Sequence, residues 1–248
     1  MKTTKKLFLL AILLLAGTTV KAQEKAENLG YFNHLSAGLT LGTTGIGIDL
    51  AAPIGEFFEV RAGYSFFPLT IKSDVHYKRH NNDRTTEAAG KLNFGDAKLL
   101  LDYFPFKTST FRLTAGFYLG NKDIVKFDNE DDPVKPGDFE KGEGLEVGDY
   151  IVEFDDYGIG RAAIQVNSFK PYVGIGIGRN IPRNTIGVSA DFGVQFWGSP
   201  KVVSKQSTSY DVELHESDVS RKDGGAIKTI SKISVFPVLT IRIGGKLF

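Results

Sequence analysis

Short runs in which apolar residues recur at every second position constrain this chain more than any other feature. The clearest lies between Pro171 and Trp197, PYVGIGIGRNIPRNTIGVSADFGVQFW. Val173, Ile175 and Ile177 alternate with Gly174, Gly176 and Gly178, IPRN turns the chain, and Ile186, Val188, Ala190, Phe192, Val194 and Phe196 then share one parity. The opposite parity of the second run holds Gly187, Ser189, Asp191, Gly193 and Gln195. A period of two with one apolar face is the pattern of a β-hairpin. A soluble protein turns such a face into a core, whereas a membrane barrel turns it outward to lipid and keeps the polar face for its lumen. One hairpin does not distinguish the two.

The pattern recurs along the chain. Alternating runs cover Leu35 to Leu41, Ile46 to Ala52, Phe57 to Phe67, Leu92 to Phe106, Phe111 to Leu119, Lys170 to Arg179, Ile186 to Trp197, and a last stretch from about Ile230 to the end. The connections after the second, fourth and sixth runs are short (PIGE, KTST, IPRN). Those after the third, fifth and seventh are long and polar, and are expected to be loops near 69–89, 122–158 and 199–227. The middle one holds thirteen Asp or Glu against four Lys and is interrupted by Pro133 and Pro136. Tight turns at one end of a sheet and long loops at the other match a barrel with periplasmic turns and external loops. Eight strands of about 9 to 11 residues span a bilayer when tilted.

The first residues read as an export signal. Lys2, Lys5 and Lys6 precede an apolar run from Leu7 to Ala16, and Val20-Lys21-Ala22 has small residues where cleavage needs them. The run is only about half the roughly 20 apolar residues of a spanning helix. Residues 1–22 are therefore expected to be a cleaved signal, 23–33 a short periplasmic lead, and 34–248 the barrel. Without cysteine, neither a disulfide nor a lipidated-cysteine anchor is available. A net charge of +1 argues against a nucleic-acid partner bound by bulk electrostatics. The 28 glycines and 12% aromatic residues, set in short alternating segments, suit a barrel better than a helical fold.

These alternating sets, with PYVGIGIG and the terminal IRIGGKLF ending in Phe248, carry a resemblance from about His34 to Phe248. The chain resembles the small Gram-negative outer-membrane β-barrels of the OmpX and OmpW type. The resemblance implies an all-β, eight-stranded antiparallel up-and-down transmembrane barrel in the outer membrane, lying against outer-membrane lipid as a monomer. It also implies recognition of the C-terminal strand by the barrel-assembly machinery. The apolar parity of that strand is carried by Ile241, Ile243 and Leu247, leaving Phe248 out of phase. Members of this family serve as adhesion or defence proteins, pores for small hydrophobic solutes or lipid-modifying enzymes, so the fold names no activity.

The inward parity collects Asp49, Glu59, Arg61, Lys98, Asp102, Arg112, Asp191 and Arg242. In a lumen only wide enough for side chains, both signs of charge are expected to pair and fill it. A continuous pore or proton path is the sharper alternative. Ile186, Val188, Phe192, Val194 and Phe196 are expected to face lipid, and Phe66, Phe67, Tyr103, Phe104, Phe106, Phe196 and Trp197 to form girdles at its two interfaces. His76 and His80 stand four apart but lack a completed ligand set. Asp128-Asn129-Glu130-Asp131-Asp132 lacks the ligand spacing of a calcium loop. Ser65, Asp74, His76 and His215 could supply hydrolase chemistry only if the fold gathered them, and no nucleophile or zinc motif occurs. The expectation is a barrel with no catalytic residue, metal or cofactor, serving envelope integrity or surface interaction. The alternatives are a channel for small hydrophobic solutes and, after it, a lipid-modifying enzyme; a soluble ligand-binding barrel is the rival fold.

Overall fold

In the computed structural model, which describes residues 30–79, 82–147, 150–205, 211–214 and 234–248, every regular element is a β-strand. In chain order these are β1 (Ser36–Gly42), β2 (Gly45–Pro53), β3 (Phe58–Arg79), β4 (Asn82–Tyr103), β5 (Arg112–Gly120), β6 (Asp123–Asp128) and β7 (Gly144–Val147). They continue with β8 (Tyr150–Glu153), β9 (Arg161–Gln165), β10 (Phe169–Ile177), β11 (Ile186–Phe196), β12 (Lys201–Ser204), β13 (Val212–Glu213) and β14 (Val235–Lys246). The expected signal segment 1–22, His80 and His215 lie outside the described residues.

Eight strands close into a ring in the order β1, β2, β3, β4, β5, β10, β11, β14, each antiparallel to its neighbours. The seam is the β14–β1 ladder, from Ser36↔Lys246 to Gly42↔Thr240. Closure leaves the ring without an edge strand, so its backbone polar groups are satisfied within it. Side chains follow the period of two. Leu39, Ile48, Tyr64, Leu101, Leu113, Ile175, Val188 and Ile243 are exposed on the outer wall, while the alternate positions are buried inside.

Strands occur within each of the segments expected as loops, and one of those segments is strand almost throughout. From 69 to 89 there is no long loop: β3 and β4 are each 22 residues long, and their ladder runs unbroken from Phe58↔Tyr103 to Arg79↔Asn82. The twelve residues of β3 from Pro68 to Arg79 carry the hairpin roughly 40 Å beyond the ring at about 3.3 Å per residue. The hairpin is hidden from hydrophobic periodicity because, beyond the ring, its strands carry no continuous apolar outer face. Its Thr70, Ile71, Val75, Tyr77, Thr85 and Thr86 are strand formers all the same. Within 122–158 lie β6, β7 and β8, and within 199–227 lie β12 and β13.

These extra strands form a cap on the hairpin. β6 pairs with β4, β9 with β6, β12 with β9 and β13 with β12, while β7 joins β3 at Tyr77↔Leu145 and carries β8. The cap has its own core of Leu145, Val152 and Ala162 packed with Phe127, Phe154 and Leu214. Phe127 also packs against the cluster that Ile124, Ile164, Val166 and Trp197 form, so cap and barrel are joined by one apolar layer.

Candidate functional site

The lumen gathers ten buried ionisable side chains, five cationic (Arg61, Lys98, Arg112, Lys170, Arg242) and five acidic (Asp49, Glu59, Asp96, Asp102, Asp191). They belong to β2, β3, β4, β5, β10, β11 and β14, and Ser36 on β1 joins them by accepting a hydrogen bond from Arg242 Nη2 at 3.2 Å. All eight residues of the inward charged set lie here. Asp96 and Lys170 were not in that set, although Asp96 shares the parity of Lys98 and Lys170 that of Tyr172.

Arg61 is the centre of the network. Its Nε and Nη2 donate to Asp102 at 2.6 and 2.9 Å, and its Nη1 and Nη2 donate to Asp191 at 2.8 and 3.1 Å. Arg112 Nη2 donates to the same Asp191 at 2.7 Å, and Thr114 Oγ1 donates to Asp102 at 2.6 Å. Asp49 takes Arg242 Nε at 2.6 Å and Lys98 Nζ at 3.2 Å. Nearer the cap, Lys170 Nζ meets Asp96 at 2.6 Å. Inward glycines make room for this chemistry. A β-carbon at Gly176 would stand 2.7 Å from the Arg112 guanidinium, and one at Gly38 would stand 2.5 Å from that of Arg242.

Side chains pack into both ends of the lumen. At the lower end the connection between β10 and β11, residues 178–185, is not the tight hairpin turn that IPRN suggested. It folds into the mouth, burying Asn180, Ile181 and Pro182. Gly178 (φ 88°) supplies the left-handed backbone that starts this reversal. Asn180 is then bonded by lumen side chains at four atoms. Its N–H donates to Glu59 Oε2 at 3.3 Å and its Nδ2 to Asp102 Oδ2 at 2.8 Å, while Arg242 Nη1 donates to its backbone oxygen at 2.7 Å and Ser189 Oγ to its Oδ1 at 3.2 Å. Arg112 Nη1 holds the backbone oxygen of Gly178. Beside this plug Phe104 is buried, with the Arg179 guanidinium 4.8 Å above its ring.

At the upper end Trp197 stacks on Phe236 at 4.5 Å and lies 5.9 Å from Phe94. Its Nε1–H donates to Gln195 Oε1 at 3.0 Å. Phe104 and Trp197 therefore do not belong to the lipid-interface girdles. Each continues the inward parity of its strand, Phe104 after Asp102 and Trp197 after Gln195, and each is buried at one end of the lumen. Between the ends, Tyr118, Tyr172, Leu100 and Val238 fill the section.

On the outer wall Ile186, Val188, Phe192 and Phe196 are exposed and Val194 is half-buried. Of the hydrolase candidates, the three among the described residues are not gathered. Ser65 is buried in the lumen at the level of Asp96, whereas Asp74 and His76 stand opposite Glu87 and Thr85 on the protruding hairpin, roughly 30 Å further along β3. The acidic run forms no calcium cradle, since its members turn to different partners. Asp128 takes Lys91 Nζ at 3.0 Å, Glu130 takes Arg161 Nε at 2.9 Å, Asp131 takes Lys72 Nζ at 2.8 Å, and Asp132 accepts Thr86 Oγ1 at 3.0 Å and Glu87 N–H at 3.2 Å.

Two carboxylates tie the cap together. Burial alone would raise Asp155, but the N–H groups of Ile159 and Tyr157 and the Arg161 guanidinium outweigh it and hold the acid below its ordinary 3.8. Burial likewise opposes Lys205 and Gln165 at Asp123, and they prevail in the same direction. A depressed carboxylate contributes stability that is present above its unfolded value and lost as pH falls through its folded one. Acidification below about 3.8 is therefore expected to speed amide exchange in β6 and β9 well before β11 or β14. Uniform loss of protection in cap and barrel would contradict this.

No protein-family model and no curated protein matches the chain. Among solved structures it is similar to Acinetobacter baumannii CarO2, at 16% identity and a TM-score of 0.46, over 86% of this chain and 98% of that one. It is also similar to Acinetobacter baumannii CarO, at 17% identity and a TM-score of 0.45, over 88% of this chain and 99% of that one.

Proposed function

We propose that this chain is a non-enzymatic outer-membrane barrel of the small Gram-negative kind typified by OmpX and OmpW. It is closed to conduction and presents a folded, charged cap for surface interaction or envelope integrity. The observation that carries this reading is the inverted distribution of polarity. A soluble barrel buries its apolar face, yet here Leu39, Val188 and Ile243 are 66%, 61% and 57% exposed while Arg61, Asp102 and Arg112 are at most 1% exposed. Among the described residues no second sheet covers Val188, Phe192 or Phe196, as a soluble lipocalin-like arrangement would require. An apolar band of this extent is stable in lipid and a liability in water. A shallow concavity of about 850 Å³ on the same wall, lined by Leu39, Ile48, Leu50 and Ile243, suits acyl chains.

Closure at both ends favours the non-conducting reading over a channel for small hydrophobic solutes. Assembly through the C-terminal strand is consistent with the seam, since Leu35 N–H donates to Phe248 O and Leu247 N–H to Leu35 O, extending the β14–β1 pairing to the last residue. The protein is expected in the membrane fraction, with gel mobility that shifts on boiling, and silent in a planar bilayer. Recovery as a soluble protein would remove the membrane assignment, and steady conductance would replace the closed barrel with the channel.

A further inference from the structure

Below the ring, the residues leading into β1 are strapped across the β2–β3 turn. Tyr31 forms an antiparallel bridge with Ile54, Phe32 N–H donates to Pro53 O at 2.9 Å, and Gly55 N–H donates to Gly30 O at 3.3 Å. The strap points its two rings outward, Tyr31 at 78% and Phe32 at 61% exposure. Phe32 does so at φ 53°, the one non-glycine among the described residues in the left-handed region. A β-carbon makes that conformation unfavourable, and residues held in it are concentrated where function requires them.

Phe32 is not alone on this sector of the rim. Phe57 and Phe58 are exposed at the end of the β2–β3 turn that the strap crosses, Phe106 is exposed in the β4–β5 connection, which Phe104 N–H joins to Phe57 O, and Phe58 packs on Tyr103 at 5.1 Å. Lys107 stands 5.2 Å over the Phe57 ring and pairs with Glu56. The patch runs upward without a break into the apolar wall through Phe58, Ala62 and Tyr64 on β3. One phenol among phenyl rings, one ammonium group and continuity with an apolar wall match the chemistry of a headgroup–acyl boundary.

We propose that this strap is a lipid-seated foot: Tyr31 and Phe32, lying outside the barrel strands, enter the headgroup–acyl boundary of the periplasmic leaflet beside Phe57 and Phe106. The foot occupies one sector only, so it anchors the barrel asymmetrically. The strained Phe32 backbone is retained because it aims the ring at lipid. This rests on the outer-membrane reading above.

The test uses the full chain refolded into phosphatidylcholine vesicles carrying acyl chains brominated at defined depths. Phe32→Trp places a reporter in the foot and Phe192→Trp places one on the wall. The unsubstituted protein, whose single Trp197 is buried, supplies the background. Phe192→Trp is expected to lose emission to chains brominated at mid-depth. Phe32→Trp is expected to lose emission to chains brominated near the headgroup, to shift to shorter wavelength on insertion, and to resist aqueous iodide. If Phe192→Trp is quenched by lipid while Phe32→Trp is quenched only by iodide, the foot is overturned and the membrane barrel stands. If neither is quenched by lipid, the membrane reading itself falls and the foot with it.

Discussion

Replacing Arg61 by alanine is expected to destabilise the protein by about 3–5 kcal/mol, because it leaves uncompensated charge buried in the lumen. One guanidinium serves both Asp102 and Asp191, and both acids are inaccessible to water. Arg112 and Thr114 retain some hold on them, but neither supplies the forked contact that Arg61 makes to Asp102 at 2.6 and 2.9 Å. Lysine should not rescue the site, since a single ammonium cannot bridge two carboxylates with the planar fork. The measurement is the urea midpoint of the boiling-sensitive gel shift. Adding Asp191→Asn to the alanine variant should recover part of the loss, because it neutralises one stranded carboxylate. An unchanged midpoint for Arg61→Ala, or the same cost for Asp191→Asn in both backgrounds, would mean that the network does not hold the barrel shut.

The second large effect is expected at the other end of the lumen. Trp197→Ala removes the plate that stacks on Phe236 and contacts Phe94, with a cost of about 3–5 kcal/mol typical of an aromatic side chain truncated in a packed core. It also leaves the Gln195 amide oxygen without its indole donor. Because Trp197 belongs to the apolar layer that reaches Phe127, the loss should reach the cap, seen as faster amide exchange in β6 and β9, while the Asn180 plug keeps its protection. Trp197→Phe should cost less, since it keeps a ring between Phe236 and Phe94. If cap and barrel exchange are both unaffected by Trp197→Ala, the upper seal is not structural.

Much of the barrel is written in residue parity. Asp49, Arg61, Asp102, Arg112, Asp191 and Arg242 can be placed on the inner face by counting alone, because a strand turns alternate side chains to opposite sides and a slip of one residue would put a charge on the apolar outer wall. The same count extends to Asp96 and Lys170, and it takes Phe104 and Trp197 out of the girdles. The glycines of PYVGIGIG, which read locally as small residues on a polar face, become the space into which Arg112 reaches.

The protruding hairpin and its cap are not legible in that way. Beyond the ring the polar run from Lys72 to Glu87 carries no apolar stripe, and its strands are specified by cross-strand pairing and by distant segments such as Phe127 and Leu145. The lower plug is hidden for a related reason. IPRN has the composition of an ordinary turn, and what draws Asn180 inward is a set of partners on β3, β4, β11 and β14, up to 121 residues away in sequence.

The eight strands of the ring, the sidedness of each and the presence of both signs of charge inside it thus follow from local periodicity, since each depends only on which face a residue occupies. Whether the ring is open or sealed does not. It depends on three-dimensional meetings at the two ends of the lumen, Asn180 with Glu59, Asp102 and Arg242 below and Trp197 with Phe236 and Phe94 above, between strands far apart in sequence.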